Sequence, residues 1–138
     1  MLISIIGFLR TNRPSKSKES DAFITLIIPY RNEEYRIQNL LTSLESQKDI
    51  SSVCKIIFVD DHSTDSTRKH INNWISKQDL ICESLFLDKY NGKKRAIDLG
   101  VQNSSSEFVM IMDADISFKD IFFTSIKKNI DLSYDLYL

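Results

Sequence analysis

Short apolar runs alternate with segments of helical periodicity along most of this 138-residue chain, and that alternation restricts its fold more than any other property. Residues 23–28, 55–59, 80–87 and 107–112 read as strands rich in Ile, Leu, Val and Phe. Pro29 has no N–H to offer a ladder and is expected to stop the first of them. Ile37, Leu40, Leu41 and Leu44 recur at helical spacing, so residues 34–47 should form an amphipathic helix covering the sheet. Ser63 or Asp65 is placed to cap a second helix reaching Ser76, with Ile71, Trp74 and Ile75 on its buried face. Trp74 reads as core there. A third helix follows Gly92 from Lys93 to Val101, and Ile121, Phe122, Ile126 and Ile130 mark a fourth. Strands joined by crossover helices run parallel, so the expected class is α/β, a doubly wound, mostly parallel Rossmann-like sheet.

Two of the strands end in carboxylates. Val109 to Met112 runs into Asp113-Ala114-Asp115, and Ile56 to Val59 runs into Asp60 and Asp61, followed by His62, Ser63, Thr64 and Asp65. Open α/β sheets bind ligands beyond the carboxyl ends of their strands, so both acidic groups are delivered to the binding edge. Asp113 and Asp115 can converge on one hard cation only if the backbone bends after the strand, because a continuing strand would carry both along one face. Two carboxylates plus diphosphate oxygens suit Mg or Mn. A solvated turn is the plain alternative for an isolated Asp-x-Asp, and the second acidic pair is what argues for a site. After the first strand, Tyr30 offers an aromatic face with a polar tip, while Asn32 and Glu33 either hydrogen-bond a base or ribose or cap the next helix. Lys93, Lys94 and Arg95 bring positive charge to a helix start, where backbone amides also favour phosphate.

Composition narrows the partners. With 27% charged residues and a formal net charge of -1, the chain lacks the basic excess of a nucleic-acid binder, so an anionic ligand must be met by local groups. Cys54 and Cys82 have no metal-type spacing and read as reduced, partly buried residues of a cytoplasmic protein, and His62 and His70 make no zinc pattern. Residues 1–21 are set apart as an apolar N-terminus and basic linker, ahead of a domain over 22–138. Met1 to Leu9 falls well short of the ~20 apolar residues of a membrane-spanning helix. Basic residues follow it, which points to the cytoplasmic end of a membrane anchor, to a membrane-surface segment or to a disordered start. Leu132 to Leu138 reads as the start of a further strand, so the domain is expected to be truncated at its C-terminus.

Four motifs in order resemble the family 2 glycosyltransferases of the GT-A fold: Pro-Tyr-Arg-Asn-Glu-Glu from Pro29, Val-Asp-Asp-His-Ser-Thr-Asp-Ser-Thr from Val59, Gly-Lys-Lys-Arg-Ala-Ile-Asp-Leu-Gly from Gly92, and Met-Asp-Ala-Asp from Met112. The resemblance covers about residues 23–118, the nucleotide-sugar half of such enzymes. It implies that Pro29, Tyr30, Glu33 and Asp61 hold the nucleoside and that Lys93 lies near the nucleotide or its phosphates. It also implies that Asp115 ligates a divalent metal, Mg or Mn, while Asp113 is shared between metal and ribose. Asp98 stands where many members carry Asn. The implied donor is a nucleoside diphosphate sugar, a UDP-sugar favoured, and the acceptor is a sugar or lipid-linked molecule. The catalytic base of an inverting transfer is expected beyond Leu138, which leaves the 138 residues able to bind donor without completing the reaction.

Other classes fit less well. A phosphoacceptor receiver domain should carry its acidic pair after the first strand, whereas here the Pro29 loop comes first, and a nucleotidyltransferase should open with a Gly-rich phosphate loop. A non-catalytic nucleotide-binding fragment predicts the same fold.

Overall fold

The computed structural model describes residues 5–10, 24–48, 50 and 54–130. Strands β2 (Ile24–Tyr30), β3 (Cys54–Asp60), β4 (Cys82–Phe86) and β5 (Phe108–Met112) are parallel, and β1 (Ile5–Arg10) is antiparallel, in the order β1-β5-β2-β3-β4. Helices α1 (Ile37–Glu45), α2 (Thr67–Ile75), α3 (Lys93–Gln102) and α4 (Phe122–Ile130) complete the described elements. None of the described helices is long and apolar enough to cross a membrane.

The period-2 alternation of β2 divides the core. Ile24, Leu26, Ile28 and Tyr30 pack with α1, α2, Phe118 and Phe123, while Ile27 packs with Ile57, Val59, Val109, Ile111 and Ala96 of α3. Helices therefore cover both faces, as a doubly wound sheet requires. Trp74 is core, edge-on to Phe58, with its indole N–H donating to Glu45 Oε1 at 2.8 Å.

Two expectations change. β2 runs through Pro29 to Tyr30, and Pro29 pairs with Val59 in the middle of the sheet. Tyr30 turns its carbonyl toward β3, where it accepts the Asp61 N–H, so Pro29 faces the β5 side, on which pairing has already ended at Ile27. The missing N–H costs no ladder bond. Ile5–Arg10, expected to lie on a surface or be disordered, instead pairs with β5 from Ile5–Met112 to Arg10–Phe108, with an irregularity between Ile5 and Gly7. An apolar stretch beside an open strand edge satisfies both sets of backbone groups by pairing. The strand expected from Leu132 lies outside the described residues, as do residues 11–23 of the linker and the strand start.

Gly100 brings α3 onto β2. A Cβ there would lie 2.6 Å from Ile27 Cγ2, and Ile27 is fully buried. Gly100→Ala should therefore lower the unfolding free energy by about 1–3 kcal/mol despite its better helix propensity, because overpacking outweighs the propensity gain. Urea denaturation of the two proteins checks this; a variant as stable as the parent would mean that α3 shifts without cost.

Candidate functional site

The chain reverses its lateral direction beside β2: β3 and β4 follow on one side, and β5 inserts on the other. Crevices form at such switch points, outside the carboxyl ends of the strands. A cavity of about 260 Å³ lies there, lined by Pro29, Tyr30, Arg31, Glu33, Asp61, Lys93, Asp113, Ala114 and Asp115. Every residue to which the family resemblance assigns a role borders it, whereas Asn32, Lys94 and Arg95 do not. The turn after β5 also makes the bend that Asp113 and Asp115 need in order to share one space.

Two loops build the wall beneath it. Asn32 after β2 and His62 after β3 each adopt a left-handed backbone, with φ of 52° and 61°. These turns bring the loops together, and each loop caps the other. Asn32 Oδ1 accepts the Thr64 N–H at 2.8 Å, and Ser63 Oγ accepts the Asn32 N–H at 3.1 Å. Thr67 Oγ1 accepts from the Glu33 N–H, Asp65 Oδ2 from the Glu34 N–H, and Glu34 Oε2 from the Ser66 N–H. Asn32 and Glu33 thus do not cap their own helix, whose N-cap Arg36 makes no side-chain capping bond. Asp65 does serve α2, with Oδ1 accepting the Thr67 N–H and hydroxyl at 2.9 and 2.6 Å. Burial raises the Asp65 carboxyl, but these hydrogen bonds and that of Glu34 together bring it below its ordinary value.

Asp60 and Asp61 take different tasks. Asp60 is fully buried; Oδ1 accepts the Ser63 N–H at 2.8 Å and Oδ2 accepts Arg68 Nε at 2.6 Å, so it fixes the turn. Asp61 faces the cavity and receives the Gly92 N–H on both oxygens, at 2.9 and 3.0 Å. Gly92 has φ +127°, a conformation that side-chain-bearing residues rarely adopt. Asp61 thereby ties the start of α3, and Lys93 with it, to the end of β3.

The acidic mouth meets its own cations. Lys93 Nζ pairs with Asp113 Oδ1 at 2.5 Å, and Arg36 Nη1 lies 3.5 Å from Asp115 Oδ2 while its Nε lies 2.7 Å from Glu33 Oε2. Burial raises the Glu33 carboxyl, with Arg36 opposing the rise and the charges of Asp115 and Asp65 adding to it. Lys94 and Arg95 are exposed, and Arg95 stacks over Tyr90 with its guanidinium carbon 4.6 Å from the ring centre. Of the three basic residues only Lys93 lines the cavity. Tyr30 borders the cavity too, yet its side chain belongs to the core; burial first, then the Asp60 charge, raises its phenol far above the ordinary value, so it stays protonated.

Asp113 is half-buried and Asp115 exposed, and both offer hard oxygens. Among the described residues no group of three or more His, Cys, Asp or Glu gathers to hold a metal alone. Two carboxylates fit Mg or Mn, which keep water ligands and complete their shell with phosphate oxygens. The sequence reading missed Arg31, Ala114 and Arg36. The three-residue spacing of Glu33 and Arg36 was the available signal for the last, since such pairs meet on a helical turn.

The fold recurs in known proteins. The crystal structure of S. aureus TarS 1–349 superposes with a TM-score of 0.72 at 25% identity, covering 79% of this chain and 32% of that one. TarS 1–349 in complex with UDP-GlcNAc gives 0.69 at 26% identity, over 79% and 31%. The fold also matches the mannosyltransferase PcManGT from Pyrobaculum calidifontis in complex with GDP-Man and Mn2+, with a TM-score of 0.65 at 24% identity over 78% and 32%. A curated relative, the dolichyl-phosphate beta-glucosyltransferase of Dictyostelium discoideum, is 31% identical over 115 residues, 77% of this chain and 35% of its own. The chain spans about a third of the length of curated relatives that it matches. Residues 25–137 match the sequence profile of Glycosyl transferase family 2, a span holding all four motifs and every residue of the cavity, and the chain belongs to that family.

Proposed function

We propose that this chain forms the donor-binding part of a glycosyltransferase, taking a nucleoside diphosphate sugar with a divalent cation, Mg or Mn. The observation that carries the reading is the single cavity at the switch point, where Glu33, Asp61, Lys93, Asp113 and Asp115 line one space. Pro29, Tyr30, Glu33 and Asp61 form its nucleoside side. Asp61, already braced by Gly92, presents its remaining lone pairs to the N–H of a base, and the strand-end pair and Lys93 flank the diphosphate. A bound cation would stabilise the charge that develops on the departing nucleoside diphosphate. Similarity to TarS, solved with UDP-GlcNAc, supports a UDP-sugar. Similarity to a dolichyl-phosphate glucosyltransferase supports a lipid-linked acceptor, and we propose that donor and acceptor meet at the cytoplasmic face of a membrane.

Titration calorimetry of the 138-residue chain with UDP, with and without Mn2+, tests the proposal. UDP should bind in a metal-dependent manner and more tightly than GDP. Binding that ignores the metal would refute the assignment of the cavity, and preference for GDP would refute the choice of donor.

A further inference from the structure

Arg36 lies outside the cavity lining and outside the residues that the family motifs assign, yet it touches two of the four carboxylates lining that cavity. The tight turn from Glu33 to Arg36, closed by the Arg36 N–H to the Glu33 carbonyl at 2.9 Å, folds the guanidinium back over Glu33. From there Nε reaches Glu33 Oε2 and Nη1 reaches Asp115 Oδ2. A guanidinium presents several donors in one plane and can bridge two acids. Its side chain is 58% exposed and that of Asp115 is 42% exposed, so the contact is held weakly enough to exchange.

We propose that Arg36 is a competing counterion, which claims the same Asp115 carboxylate that a divalent cation needs and so weakens the protein's affinity for free metal. The inference rests on the donor-site reading, in which Asp115 is the metal ligand. Arg36 is then a positioning residue acting through Asp115 and Glu33. Without it, the mouth keeps its four carboxylates and loses one positive charge close to the cation position. A divalent ion feels that change doubly.

The test is Mn2+ binding in the absence of nucleotide, followed by electron paramagnetic resonance of the free ion, on the parent chain, Arg36→Gln, Arg36→Lys and Asp115→Ala. Arg36→Gln should bind Mn2+ on the order of fivefold more tightly at low ionic strength, with the gain shrinking in high salt. Arg36→Lys should stay near the parent, because it keeps the charge; a merely structural role for Arg36 would not predict that rescue. Unchanged or weaker Mn2+ binding in Arg36→Gln, with Asp115→Ala abolishing it, would overturn the competition and leave the donor site standing. Mn2+ binding that survives Asp115→Ala unchanged would overturn both.

Discussion

Replacing Arg68 by Met should lower the unfolding free energy by about 3 kcal/mol, the low end of what breaking a buried ion pair costs. The Asp60 carboxylate is wholly enclosed, and its Oδ2 depends on Arg68 Nε at 2.6 Å; without the guanidinium, the Ser63 N–H on Oδ1 is what remains among the described residues. Met keeps an apolar stem but loses the guanidinium that lies over Phe86, its carbon 5.4 Å from the ring centre, a contact worth about 0.5–1 kcal/mol at an exposed site. The low end applies because the Arg68 side chain is itself 47% exposed and easily solvated. Urea denaturation at neutral pH measures the loss, and adding Asp60→Asn to Arg68→Met should recover much of it by removing the stranded charge. A loss below about 1 kcal/mol would mean that water reaches Asp60.

Asp115→Ala should weaken Mn-dependent UDP binding by about a hundredfold or more, beyond what losing a group behind a metal ligand usually costs. Asp113→Ala should cost less, because removing that carboxylate also releases Lys93, which then meets the diphosphate without a competing partner. Calorimetry of both variants with UDP and Mn2+ gives the order. Equal losses would show that the two carboxylates act as one ligand unit, and no loss in Asp115→Ala would remove the metal from this edge.

The four parallel strands were legible because each carries its own signal. Residues 55–59 and 107–112 are apolar runs bounded by polar turns, and α1 announces itself through Ile37, Leu40, Leu41 and Leu44. The continuation of β2 through Pro29 was hidden because it depends on where the neighbouring strand ends, a fact of three dimensions. β1 was hidden for a similar reason: a short apolar stretch does not reveal whether an open edge awaits it. In the site, strand-end carboxylates were visible as motif positions. Their partners were not, since Lys93 reaches Asp113 from twenty residues away and Arg36 reaches Asp115 from seventy-nine. The mutual capping of the two loops was equally out of reach, because local sequence offers Asn32, Glu33 and Asp65 as caps for their own helices.

That mutual capping determines what can be exchanged between relatives. Asn32 satisfies an amide of the β3 loop, Ser63 and Thr67 satisfy amides of the β2 loop, and Glu34 and Asp65 each do so across the gap. Transplanting the Pro29 loop from another transferase to alter its nucleoside would strand donors on the loop left behind. On the donor-site reading, altering base preference by loop exchange therefore requires moving the pair of loops together, two segments some thirty residues apart in sequence.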